Sequence, residues 1–350
     1  MKVDFAPGSL DPRRAADLAR TVEGLGFDGL WVAETDHDPF TALPLALAAT
    51  EGLEVGTSVA IAFARSPTVI AQAAFDLAAL SGGRFQLGLG TQVRGHVERR
   101  FGMAWSEPAP RLAEWIGAIR AAWASWQDGV PFRFRSEHLD LSLMTPFFSP
   151  PPLDFSAPPG RARVPISMAG VGPGLARLAG RLADGFQVHP FHTLRYLAEV
   201  LEPALAIGEA GRDPSLAAPR VERIVPVFIA PADEPPLLEE VRARISFYAA
   251  TPTYRGVLRL HGREREGEQL SRLAATGRWA EMPSLIDDGL LAEVAVVAPR
   301  AELADALAER VAGQADRVLP LAPLAAGAGQ PVSEGDRAWW SGLLATLRRA

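Results

Sequence analysis

Histidine is the side chain best suited to moving protons near neutral pH, and this chain of 350 residues has six: His37, His96, His138, His189, His192 and His261. The run Glu34-Thr35-Asp36-His37-Asp38 is the densest group of ionisable side chains directly after an apolar stretch. A carboxylate beside an imidazole favours its charged form, which makes His37 a candidate proton donor or acceptor. The plainer reading is a solvated loop in which Asp38 caps a helix opening at Pro39. Two glycine-bearing turns could receive an anion, Gly88-Leu89-Gly90-Thr91 and Gly170-Val171-Gly172-Pro173-Gly174. The second precedes a helical pattern, and free N–H groups at a helix start attract phosphate. Gly88-Leu89-Gly90 lacks the third glycine and the later acidic residue of a dinucleotide fingerprint, and no P-loop lysine is present. With no cysteine, disulfide and thiolate chemistry are excluded. His189-x-x-His192 offers two metal ligands, too few for a site, so no metal is expected.

These residues need a scaffold. Short apolar runs recur at Val3–Ala6, Gly29–Ala33, Val55–Phe63, Phe85–Gly90, Val164–Ala169, Gly185–His189, Val221–Ile229 and Asp316–Leu321, mostly separated by helical spacing and glycine turns. Strands buried on both faces read this way. The pattern predicts an α/β protein, a (β/α)8 TIM barrel forming one domain over 1–350. Insertions are expected after strands 4 and 7, at approximately 92–163 and 231–290. In this fold chemistry sits at the C-terminal ends of the strands. His37 then follows strand two, His96 strand four, and His189 and His192 strand six. Phe132, Phe134, Phe147, Phe148 and Phe155 in the first insertion suggest an apolar lid.

Hydrophobic residues make up 48% and charged residues 22%, with a net charge of −6. This is a globular balance without the basic patch that nucleic acid requires. Asp4 interrupts the start where a signal peptide would be apolar. No run approaches the roughly 20 apolar residues of a spanning helix. A cytoplasmic protein acting on a small molecule is expected, without nucleic-acid or membrane partners; a homodimer stays open.

Several stretches are similar to the luciferase-like flavin and deazaflavin monooxygenases and dehydrogenases. They are Gly26-Phe27-Asp28-Gly29-Leu30-Trp31-Val32-Ala33-Glu34, Val55-Gly56-Thr57-Ser58-Val59, and Ser81-Gly82-Gly83-Arg84-Phe85 with Leu87-Gly88-Leu89-Gly90-Thr91. The likeness covers roughly residues 1–195. Ala62-Phe63-Ala64-Arg65-Ser66-Pro67 and Gly90-Thr91-Gln92-Val93 resemble the branch that depends on coenzyme F420, a deazaflavin. The resemblance implies hydride transfer between F420 and a small organic substrate. An FMN-dependent monooxygenase and a non-catalytic flavin-binding barrel are the alternatives. It places Glu34 and Thr35 near the ring, as catalytic candidates with His37. The glucose-6-phosphate dehydrogenase of this family has a histidine where Thr35 stands and a catalytic glutamate where Val93 stands, so sugar-phosphate oxidation is not implied. The resemblance also implies a non-proline cis peptide at Ser58–Val59 behind the ring. Thr91, Gln92, Val171, Gly172, Gly174 and Leu175 would hold the phosphate and tail, with His189 facing the same pocket.

Overall fold

A computed structural model describes residues 1–156, 163–216, 218–322 and 333–349. Its main strands are β1 (Lys2–Gly8), β2 (Gly29–Val32), β3 (Glu54–Thr57), β4 (Phe85–Gly90), β5 (Ile166–Gly170), β6 (Gly185–Val188), β7 (Glu222–Pro231), β8 (Ala295–Ala298) and β9 (Arg317–Leu321). All pair in parallel. β1 to β7 are neighbours in chain order, and β9 closes the ring between β7 and β1. The result is the expected closed (β/α)8 barrel. Residues of β2, β3, β4 and β6 are buried throughout, because helices cover the outside and side chains fill the inside.

β8 was not expected. At Ile224, β7 has Gln187 on one side and Arg317 on the other; at Phe228 it has Ala295 and Leu321. β8 therefore takes the edge that β6 vacates. The third expected strand, Val55–Phe63, also differs. It runs only to Thr57, turns through a cis Ser58–Val59 peptide, bridges to β4 at Ala60–Ile61 and ends in a 3-10 turn. The cis bond stands where the resemblance placed it.

Helices α1 (Ala15–Leu25), α2 (Pro39–Ala48), α3 (Pro67–Ser81), α4 (Arg94–Arg99), α5 (Pro108–Asp128) and α6 (Pro173–Leu182) follow. Within the 92–163 stretch, α5 is the barrel's own helix between β4 and β5. Its tryptophans key it onto α3: Trp123 Nε1 donates to the Ala71 carbonyl at 3.0 Å, and Trp126 meets Phe75 edge-on. Each barrel helix returns from the C-terminal to the N-terminal face, so residues after Asp128 begin at the face opposite the active site. The phenylalanine excursion is accordingly no lid. Phe134 packs against Gly117 of α5, Phe155 lies beside Gly83 just before β4, and Phe147 and Phe148 point to solvent. His138 belongs to it too, held by Glu114 of α5.

The second insertion follows β7 directly and so rises from the C-terminal face. It holds α7 (Pro235–Ala249), α8 (Arg255–Leu260) and α9 (Glu264–Ala275).

A candidate active site at the barrel mouth

The segments 33–38, 58–61, 91–93, 171–175 and 189–193 all leave the C-terminal ends of parallel strands, so every sequence-predicted site residue lies on one face. Hydrogen bonds, ion pairs and ring contacts draw some of them into two groups, while His37, Thr91, Gln92 and the 171–175 turn stand outside both. In the first, the Glu34 N–H donates to the Val59 carbonyl at 3.2 Å, and its carboxylate accepts the Ile61 N–H at 2.8 Å. Arg65 donates to Glu34 Oε2 at 2.6 Å and to Asp38 Oδ2 at 2.8 Å. Burial alone would lower the Arg65 pKa, but hydrogen bonds and charge from Glu34 and Asp38 raise it, so the guanidinium stays charged. Glu34 is thus a clamp that ties the end of β2 to the bulge after β3. Asp38 also accepts the Phe40 N–H at 2.9 Å, as the expected helix cap. Thr35 gives its carbonyl to Arg100 from beyond α4.

His37 stands apart from this group. Its side chain is 42% exposed, and its Nε2 lies 4.0 Å from Asp36. His96 is exposed on α4.

In the second group, His189 N–H donates to the Gly170 carbonyl at 3.3 Å, linking β5 and β6 above the sheet. The His189 ring packs edge-on to Tyr248 at 4.8 Å and tilted on Tyr254 at 4.4 Å. Burial, with His192 adding to it, pulls the His189 pKa down to about 3. Burial brings His192 to about 4, although its hydrogen bond to the His189 carbonyl opposes this. Both are neutral imidazoles. Gln187 of β6 ties the strands together, donating to the Thr57 carbonyl of β3 at 3.0 Å and to Ser167 Oγ of β5 at 2.7 Å.

The two glycine turns differ in what their glycines serve. A Cβ on Gly88 would fall 1.9 Å from the Thr57 carbonyl oxygen and 2.3 Å from Gln187 Nε2; one on Gly90 would fall 2.4 Å from Val59 Cγ2. The first turn is glycine because the protein itself fills the space, which corrects the expectation that a ligand approaches there. A Cβ on Gly172 or Gly174 would meet nothing within 4 Å. There α6 begins without a side-chain cap, and Pro173 carries no N–H. Its first-turn N–H groups at Gly174 and Leu175 have no intrahelical acceptor. Thr91 is buried, and Gln92 sits at φ 58. That left-handed conformation costs a non-glycine residue roughly 1–3 kcal/mol, and such outliers cluster at functional sites.

Residues 3–317 match the family model described as luciferase-like monooxygenase. The chain belongs to the luciferase-like monooxygenase family. This luciferase-like chain is 43% identical over 310 residues to a Mycobacterium tuberculosis protein of uncharacterised function, covering 88% of this chain and 89% of that one. It is 32% identical over 215 residues to the F420-dependent glucose-6-phosphate dehydrogenase of Kineococcus radiotolerans, covering 58% and 59%. Among solved structures it superposes on an F420-dependent secondary alcohol dehydrogenase with a TM-score of 0.73, at 18% identity, over 99% of both chains.

Sequence reasoning missed Arg65, Gln187, Tyr248 and Tyr254 as members of this site. Gln187 carried a signal, a lone polar side chain in the apolar strand Gly185-Phe186-Gln187-Val188. So did the tyrosines. The chain has three, two of them packed on His189 and the third, Tyr196, seven positions after it.

Proposed function

We propose that the mouth binds coenzyme F420 and that the chain is an oxidoreductase transferring a hydride between this deazaflavin and a small organic substrate. The observation that carries the reading is the open first turn of α6, where Gly172 and Gly174 leave room beside N–H groups that have no intrahelical acceptor. A phosphate fits that donor set, because a helix N-terminus combines free donors with a partial positive charge. The names of relatives support the deazaflavin as the group that brings the phosphate.

Bound there, the deazaflavin supplies hydride exchange with an organic carbon. In this reading Val171, Gly172, Gly174 and Leu175 hold the phosphate, with Thr91 and Gln92 flanking the tail. Ser58 and Val59 back the ring, and Glu34 keeps that backing in place. Thr35 would sit near the ring. His37, half in water at the rim, exchanges the proton that accompanies the hydride. The setting proposed for this activity is the cytoplasm. No helix among the described residues is long and apolar enough to cross a membrane.

The test is a titration of the apoprotein with F420 and with FMN. F420 should bind at least about tenfold tighter, a difference of about 1.4 kcal/mol. Gly172→Glu should abolish most of that affinity, while Gly172→Ala, which meets no neighbour, should fold normally. Tighter FMN binding would move the assignment to an FMN-dependent monooxygenase. Unchanged affinity in Gly172→Glu would remove the phosphate from α6.

A further inference from the structure

His189 has one ring nitrogen occupied and one open. The Phe191 backbone N–H donates to its Nδ1 at 3.1 Å. A backbone N–H can only donate, so Nδ1 is the acceptor and the proton of the neutral ring sits on Nε2. Among the described residues Nε2 has no hydrogen-bond partner, and it is not fully buried, so it is open to a ligand. The backbone around it is fixed as well, since His192 Nδ1 donates to the His189 carbonyl at 3.0 Å.

What surrounds this donor is aromatic. Tyr248 and Tyr254 flank the ring, and Tyr248 continues to Phe228 on β7 at 6.3 Å. The second insertion that brings the tyrosines is docked rather than loose. Thr193 Oγ1 accepts the Tyr196 N–H at 3.0 Å and shares a hydrogen bond with His261 Nε2 at 2.9 Å. Arg195 donates to the Leu260 carbonyl at 3.1 Å. Among the described residues no carboxylate or guanidinium forms an ion pair or hydrogen bond with the His189 ring, and burial with His192 keeps that ring neutral. An anionic ligand would therefore be desolvated here without a counter-charge, which is costly, whereas a neutral oxygen needs only the one hydrogen bond.

We propose that His189 Nε2–H, flanked by Tyr248 and Tyr254, is the subsite for the uncharged oxygen of an apolar substrate, a ketone or aldehyde and its alcohol. This deepens the oxidoreductase reading and rests on it for the hydride. In the reducing direction the carbonyl carbon accepts a hydride from the reduced deazaflavin. The C=O π pair moves onto the oxygen, which takes a proton from the aqueous rim; the alcohol direction is the reverse. His189 keeps its proton and strengthens its hydrogen bond as charge develops on the oxygen, the kind of contact that lowers a barrier. His189 is then a substrate contact rather than the cofactor contact that sequence suggested.

The probes are acetophenone and benzoate, similar in shape and different in charge, with protein labelled at histidine nitrogen. Acetophenone should shift the His189 Nε2–H resonance, and benzoate should bind at least about tenfold more weakly. His189→Phe should weaken acetophenone about tenfold, and His189→Gln, which returns an N–H near Nε2, should recover most of it. Deazaflavin affinity should be the same in all three proteins. Benzoate binding as tightly as acetophenone would overturn the proposal. So would a His189→Phe variant that loses deazaflavin and keeps acetophenone. A parent protein that ignores deazaflavin yet gives the acetophenone shift sinks the cofactor assignment and leaves this subsite standing.

Discussion

At the residue scale, the histidines divide by burial. His189 and His192 have pKa values near 3 and 4 against 6.5 for an unperturbed ring, because a dry setting penalises the cation. In the unfolded chain both would protonate near pH 6.5. Between there and about pH 4 the unfolded state binds more protons, so acidification drains stability across that window and raising the pH restores it. Each histidine contributes about 1.4 kcal/mol per pH unit in the middle of it. His192→Asn keeps a donor near the His189 carbonyl but removes one titration, so its Tm should fall less steeply than the parent's from pH 6.5 to 4.5. Parallel curves would mean that His192 is not a neutral buried group. His37 is the opposite case, half-exposed and near no firm partner. If it exchanges the proton, His37→Ala lowers turnover at least about tenfold with cofactor affinity unchanged; equal turnover would make it a rim residue. The ionisable run around His37 was legible because its members are adjacent. The partner that engages Glu34, Arg65, is 31 positions away, and only strand register brings the two together.

At the element scale, an insertion's place in the β/α unit decides whether it can cover the site. The phenylalanine-rich segment and the Tyr248–Tyr254 segment look alike as composition. The first follows a helix and lands at the far face; the second follows a strand and lands at the mouth. Reading the helix at 115–126 as part of an insertion hid that difference. The strands were legible because parallel strands buried on both faces read as unbroken apolar runs. β8 was not, because α-helix passes directly into strand between Val294 and Ala295 with no glycine or proline to mark the change. The glycine turns looked equivalent for a similar reason, since sequence shows the absence of a side chain but not what takes its place. Their difference is measurable. Gly88→Ala drives a methyl into the Thr57 carbonyl and the Gln187 amide and should cost about 1–3 kcal/mol or more, as overpacking does. Gly172→Ala should stay within about 0.5 kcal/mol of the parent. Chemical denaturation of the two variants checks this, and equal stabilities would refute the assignment of Gly88 to packing.

At the scale of the whole molecule, the barrel must join its first strand to its last, and the join is made with charge. Arg317 on β9 is fully buried and donates to both oxygens of Asp4 on β1, at 2.6 and 2.8 Å, and to Glu54 on β3 at 2.6 Å. Gln86 on β4 donates to the same Glu54 carboxylate at 2.7 Å, and the Trp31 ring lies 5.3 Å from the guanidinium. Burial alone would pull the Arg317 pKa down, and the surrounding carboxylates raise it instead, so it remains a cation. The cluster lies toward the N-terminal ends of the strands, away from the mouth, and its role is closure. Asp4 and Arg317 are 313 positions apart, so nothing local in the sequence pairs them. A buried ion pair is weak evidence of net stability, because well-packed apolar groups of similar volume often replace it without loss; removing one partner is different, since it strands the other's charge. Arg317→Met alone should therefore cost about 3–5 kcal/mol in urea unfolding. Arg317→Met combined with Asp4→Leu and Glu54→Met removes the two carboxylates that Arg317 hydrogen-bonds, leaving only the partly exposed Glu222 at 3.7 Å, and should recover much of the loss. On the proposed cofactor assignment, deazaflavin affinity of the triple variant should match the parent, because the mouth is built at the other end of the strands. A single variant losing less than about 1 kcal/mol would mean that water or protonation already neutralises Asp4 and Glu54. A triple variant no better than the single one would instead show that the charges select the closed register, a task that apolar side chains of the same size cannot perform.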